Sequence, residues 1–171
     1  AEATPGPIGL LWIDAHLDAH TPGTTHSGRL HGMPLAALLG QAGDALGVET
    51  AALAPAHVCV VGARSFEPEE AALLAALGVR VYPMREIDER GLDAVLDEAL
   101  ARLRRGTAGY GITLDLDALD PADAPGVTTP VARGLRAATL FPALAARVRA
   151  DPPLALEIAE YDPHRDAAFP T

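Results

Sequence analysis

The apolar positions of this chain fall into short strand-length runs, unbroken from Ile8 to Ile13, separated by longer stretches with helical spacing. Ile8 to Ile13 (IGLLWI), His57 to Val61, Val79 to Tyr82, Tyr110 to Leu116 (YGITLDL) and Leu154 to Ile158 are runs of strand length. A run that stays apolar instead of alternating with polar residues suits a strand covered on both faces. Met33 to Leu39 reads as a short helix, with Pro34 tolerated in its first turn. Glu67 to Leu77 reads as a longer one. Pro68 fits its first turn, Glu69 and Glu70 complement the positive end of its dipole, and Gly78 sits where a C-terminal cap belongs. Asp93 to Arg104 continues an apolar stripe of Leu92, Val95, Leu96, Ala99, Leu100 and Leu103, with acids early, arginines late and Gly106 beyond. Leu135 to Arg149 is a fourth predicted helix, and Gly40 to Pro55 is an Ala-rich loop with room for a short helix. Strands alternating with helices predict a three-layer α/β/α domain built on a mostly parallel sheet.

Composition narrows this picture. At 171 residues, with no internal repeat or low-complexity linker, the chain is expected to form one domain over residues 1–171. A net charge of −10 argues against nucleic acid or an anionic membrane as partner. No apolar run is long enough to span a bilayer, and the N-terminus lacks the basic start and apolar core of a signal peptide. The single cysteine, Cys59, lies inside a buried run, reads as a small core residue and fits a reducing, cytoplasmic setting.

The candidate chemistry gathers at strand ends. Asp14, His16, Asp18 and His20 follow the first strand at alternate positions, so an extended chain would point all four to one side. Carboxylates mixed with imidazole form an O/N ligand set suited to Mn, Fe or Zn. Asp115 and Asp117 end the fourth predicted strand, and Glu160 follows the fifth. In a parallel sheet these ends share one rim, where ligands bind. Acidic groups crowded there would repel one another without a cation, and two shared metals could activate water against a polar substrate. His57, His164 and Asp166 read as structural or solvated, His26 as a solvated loop residue, and Arg64 as the partner of a nearby carboxylate. Glu69 and Glu70 are adequately explained as helix-start charges.

The motifs also carry a resemblance. WIDAHLDAHTPGTTHSGRLHGMPLAALLG resembles the DAHxD metal motif of the arginase (ureohydrolase) family. LDLDALDPADAPGVTTPVARGL resembles its DxDxxDP motif, LEIAEYDP its closing strand, and VGARSFEPEE its substrate loop. The likeness runs over essentially the whole chain and is nearer to arginases than to agmatinases. It implies an arginase-like α/β fold and binuclear manganese, with Asp14, His16, Asp18, Asp115 and Asp117 as ligands and Asp14 and Asp115 as bridges. It further implies that a bridging hydroxide, oriented by Asp18, attacks the guanidinium carbon of L-arginine, giving L-ornithine and urea. By the same resemblance Glu160 pairs with the guanidinium and His31 shuttles a proton. Thr25, Ser27 and His20 lie at the amino-acid end, with Glu67 at the α-amino group, Glu70 near it, and Thr129 bordering the site.

Two positions depart from the family pattern. His20 and Arg29 stand where arginases usually carry Asn, which weakens the expectation of strict arginine specificity. The family's GGDHS-like segment, whose His holds one manganese, does not occur in this sequence. The expectation is therefore a truncated arginase-like chain with one complete metal site and one lacking a ligand. Expected partners are a small guanidino substrate and further copies of the chain. The alternatives are a relative acting on another guanidino compound, or a non-catalytic metal-binding fragment that needs a partner.

Overall fold

A computed structural model of the chain describes residues 6–43, 47 and 51–166. Five strands form its sheet: β1 (Ile8–Ile13), β2 (Val58–Val61), β3 (Arg80–Tyr82), β4 (Gly109–Asp115) and β5 (Ala155–Ala159). Five helices connect them: α1 (Pro34–Leu38), α2 (Pro68–Leu77), α3 (Met84–Arg90), α4 (Leu92–Leu103) and α5 (Ala137–Ala150). All pairings are parallel, in the order β3-β2-β1-β4-β5. The chain thus winds outward from β1 in one direction, then returns and winds outward from β4 in the other. The register sets Ile13 beside both Val61 and Leu114, so the three central strands end at one level.

Side chains alternate across the sheet and divide the core in two. Leu11, Ile13, Cys59, Val61, Ile112 and Leu114 pack with α4 and α5 residues on one face. Trp12, Val58 and Val60 pack with Leu35, Leu39 and Leu74 on the other. The stripe predicted for α4 is the buried one, with Val95, Leu96, Ala99, Leu100 and Leu103 all inside.

Three elements differ from the sequence reading. Helix α3 is absent from it because only Ile87 of its seven residues is buried, which leaves no apolar stripe to detect. Its support is polar: Glu86 pairs with Arg80 and Arg90, and Gly91 at φ 85° ends it. The stretch 40–55 lies partly outside the described residues. Strand β5 is as apolar as expected but uncovered, with Leu156 and Ile158 each 60% exposed and one edge unpaired among the described residues. No helix among the described residues is long and apolar enough to cross a membrane.

Candidate metal centre and its cavity

The reversal of winding between β1 and β4 creates a crevice at the carboxyl ends of those strands, where open α/β sheets bind ligands. A cavity of about 180 Å³ occupies it, lined by His16, Asp18, His20, His26, Ser27, His31, Gly32, Glu67, Glu70, Asp115, Asp117, Thr129 and Glu160. Beneath it lies Asp14, only 1% exposed.

The chain does not stay extended past Ile13. The Asp14 carboxylate accepts the His16 backbone N–H at 2.7 Å, and the Asp18 carbonyl accepts those of Leu35 and Ala36. These bonds fold residues 14–20 into a turn in which Asp18 takes a left-handed conformation, φ 50°. His16, Asp18 and His20 still line the cavity, but they split between its two ends instead of forming one row.

At the first end, Asp14, His16 and Asp117 each offer a ligand atom, all within 4.8 Å of one another. His16 Nδ1 stands 3.1 Å from Asp117 Oδ2 and 3.5 Å from Asp14 Oδ1. The carboxylates are held from behind. Trp12 Nε1 donates to Asp14 at 2.8 Å, the Thr129 hydroxyl to Asp117 at 3.0 Å, and the Asp117 N–H to Asp115 at 2.8 Å. Arg64 fixes the same floor. Its guanidinium donates to the carbonyls of Asp117, Ala118 and Leu119 as well as Gly62, Val131 and Ala132, so it pairs with backbone and not with the carboxylate expected. Gly134 leaves room for it, because a Cβ there would sit 2.5 Å from the guanidinium.

Charge at this end is poorly compensated by protein alone. Burial, then the neighbouring Asp14 charge, pushes Asp18 up to about 9 and Asp115 up to about 8. Burial also raises Asp14. Against its own desolvation, hydrogen bonding to Asp117 and Asp14 raises His16 to about 10. Asp117 is held below the usual carboxylate range: burial would raise it, but the His16 hydrogen bond and charge, the Thr129 hydroxyl and the Ala15 N–H together outweigh that. Acids that cling to protons and an imidazole that acts as their counter-cation are what a missing positive charge produces. A mixed carboxylate and imidazole donor set fits a divalent ion such as manganese. Glu160, left-handed at φ 61° just beyond β5, faces the same end and adds to the repulsion on Asp115.

At the other end, His20 Nε2 lies 3.1 Å from Glu67 Oε2 and 3.5 Å from Glu70 Oε2, with Nδ1 3.2 Å from the Thr24 hydroxyl. Glu67 and Glu70 form a capping box at the start of α2, and Glu70, only 3% exposed, also accepts the Ala19 N–H. His20 is thus tied to these glutamates and stands apart from the group formed by Asp14, His16 and Asp117. His26, read from sequence as solvated, is exposed but lines the cavity, its ring 6.2 Å from that of His20. His31 lines it too, from the single 3-10 turn Leu30–Gly32. Thr25 does not. Its hydroxyl accepts the Gly28 N–H in a local turn, and Thr24 is the threonine that meets His20.

Of the residues chosen from sequence, the cavity therefore gathers His16, Asp18, His20, Ser27, His31, Glu67, Asp115, Asp117, Thr129 and Glu160, with Asp14 below them. Glu70 and His26 are the residues that sequence reasoning undervalued. A helix-start acid and a loop histidine have obvious local explanations, and only the packing of 14–20 against α2 reveals their position.

Comparison with known proteins gives a consistent result. The model of the arginase family matches residues 1–170. The arginase of Bacillus caldovelox is 44% identical over 131 residues, covering 75% of this chain and 44% of that protein. The arginase of Agrobacterium fabrum strain C58 is 44% identical over 126 residues, covering 73% and 39%. Among solved structures, the native Bacillus caldovelox arginase superposes with a TM-score of 0.89 at 39% identity, covering 94% of this chain and 55% of that one. Proclavaminate amidino hydrolase from Streptomyces clavuligerus superposes with 0.77 at 26% identity, covering 95% and 50%. The chain spans about half the length of the relatives it matches.

Proposed function

The chain belongs to the arginase family, and on that footing we propose that it serves manganese-dependent hydrolysis of L-arginine to L-ornithine and urea. The observation that carries this reading is the convergence of Asp14, His16 and Asp117 at the winding reversal, with Asp18, Asp115 and Glu160 lining the same cavity. Asp14, His16, Asp115 and Asp117 would hold one ion, and Asp14, Asp18 and Asp115 would face a second. Bound manganese supplies Lewis acidity and lowers the pKa of water.

The remaining work falls to the chain's own groups. Glu160 and the aspartates favour a guanidinium over a neutral urea-like group. Asp18, which lines the cavity beside the other aspartates, orients the attacking water and takes its proton. Water adds to the guanidinium carbon, the bond from that carbon to the alkyl-bearing nitrogen breaks, and the amine leaves protonated. His31 has no hydrogen-bond partner among the described residues and is free to carry that proton between the cavity and solvent. Thr129 and Trp12 keep Asp117 and Asp14 aimed. In the same reading the chain is cytoplasmic, in keeping with the lone buried thiol of Cys59, and works beside further copies of itself, in keeping with the uncovered apolar surface of β5.

The test is urea release by the manganese-loaded chain from a panel of guanidines. L-Arginine should yield urea, and a chelator should stop it. Urea from no guanidine at any manganese concentration would sink the reading.

A further inference from the structure

A second cavity, of about 580 Å³, opens at the carboxyl ends of β2 and β3. Three stretches far apart in sequence wall it: the loop 63–66 after β2, Pro83 with the start of α3, and the loop 131–133 after β4. Hydrogen bonds fix these walls to one another. The Met84 N–H donates to the Ala63 carbonyl at 3.0 Å, and the Arg64 guanidinium donates to the carbonyls of Val131 and Ala132. Phe66, Met84 and Val131 give the cavity an apolar side, with the Phe66 ring exposed.

Its charge runs against that of the chain. The whole carries −10, yet three arginines line this cavity against one aspartate. Arg64 is taken up by carbonyls, but the side chains of Arg85 and Arg133 have no hydrogen-bond or ion-pair partner among the described residues. Elsewhere Arg80, Arg90, Arg136 and Arg147 are each matched by a carboxylate. Arg133 is also held in the left-handed region, at φ 61°. The other described non-glycine residues at positive φ, Asp18 and Glu160, both line the first cavity. Backbone held in such a conformation gathers where a side chain must be aimed at a ligand.

We propose that this second cavity binds a small organic anion, a phosphate monoester with an aromatic body. Arg85 and Arg133 present two planar forks of donors to one dianionic headgroup, the geometry that suits phosphate. Phe66, Met84 and Val131 take the ring. Asp88, three residues from Arg85 on α3, repels a second anionic group and so limits the ligand to one. The site does not depend on the amidinohydrolase reading.

Calorimetric titration of the manganese-loaded chain with phenyl phosphate, inorganic phosphate and benzyl alcohol tests this. Phenyl phosphate should bind at one per chain, about tenfold more tightly than inorganic phosphate, which lacks the ring. Benzyl alcohol, which lacks the charge, should not saturate the chain. Arg85→Gln and Arg133→Gln should each weaken phenyl phosphate by about tenfold or more, the scale of a lost hydrogen bond to a charged group, and leave manganese affinity within about threefold. Arg149→Gln removes an exposed arginine on α5 and should change neither, which separates the site from net charge. Stripping the manganese should leave phenyl phosphate affinity within about threefold. No saturable binding of phenyl phosphate, or binding indifferent to both cavity arginines, would overturn the proposal. Binding lost with the metal would overturn it as well, by placing the anion on the ion at the aspartates.

Discussion

Two groups of one histidine and two acids lie at opposite ends of one cavity, and in bare geometry they look alike. Asp14, His16 and Asp117 could hold an ion, and so could His20, Glu67 and Glu70. What separates them is the supply of fixed donors. Helix α2 begins at the glutamates, and its capping box, the Ala19 N–H and the His20 ring give them fixed hydrogen-bond partners; Glu67 is held below its ordinary value by Glu70 and then His20, and only Glu70 is raised, by burial first. The aspartates sit at strand ends, which bring little dipole of their own, and three of them are raised above the ordinary carboxylate range by burial first. The first end calls for a cation, and the second, with one carboxyl raised instead of three, is closer to satisfied. Convergence of ligand atoms is therefore a weaker guide to a metal site than the charge left uncompensated there.

The most damaging change to this contrast should be Asp117→Ala. It removes the carboxylate shared by His16, Thr129 and the Ala15 N–H. Manganese affinity should fall by more than about 100-fold, beyond the penalty for disturbing outer-shell partners, as measured by calorimetric titration.

A pH series on the metal-free chain comes next. Asp18, Asp115 and His16 all have folded-state values raised above their ordinary ones, to about 9, 8 and 10. The folded chain then binds more protons than the unfolded one, so stability falls as pH rises. The carboxylate share is lost from about pH 4 up to about 9, and the His16 share from about pH 6.5 up to about 10. The lowered Asp117 acts in the opposite sense only below its ordinary value of 3.8. Thermal melts should therefore show Tm dropping between about pH 5 and about pH 9 without metal, and much less with manganese. A rising Tm over that range would mean that the aspartates are better compensated than described.

Thr129→Val should have a smaller effect, weakening manganese by about tenfold through loss of the hydroxyl that aims Asp117. Glu70→Gln should leave manganese affinity within about threefold while lowering Tm by a few degrees, the scale of a weakened helix cap. A large manganese effect from Glu70→Gln would erase the distinction between the two ends.

Much of this was legible before any coordinates. Unbroken apolar runs marked β1 and β2, because burial on both faces leaves no room for polar alternation, whereas β3 and β5 were found despite Arg80 and Glu157. Gly78 and the acids of Glu69 and Glu70 framed α2 through cap chemistry that acts locally. The paired Asp motifs at strand ends pointed to the rim, since a parallel sheet brings such ends together. Three things were not legible. Helix α3 is held by ion pairs with Arg80 and Arg90, which leave no hydrophobic period. The turn at Asp18 depends on the start of α1, so an extended reading of residues 14–20 could not foresee that His20 would meet α2. Arg64 looked like half of an ion pair, yet it serves the carbonyls of two loops far apart in sequence, a role without a local signature.

The account stands most directly on a manganese titration of the metal-stripped chain near neutral pH, repeated in buffers of different ionisation heat. One tight ion per chain is predicted, since among the described residues the aspartate end combines an imidazole with three carboxyls raised by burial, against one at the glutamate end. Its uptake should release protons, because His16 and the raised aspartates must give theirs up to become ligands. Saturable binding without proton release, or no tight binding at all, would contradict the claim that this end of the cavity is a metal centre.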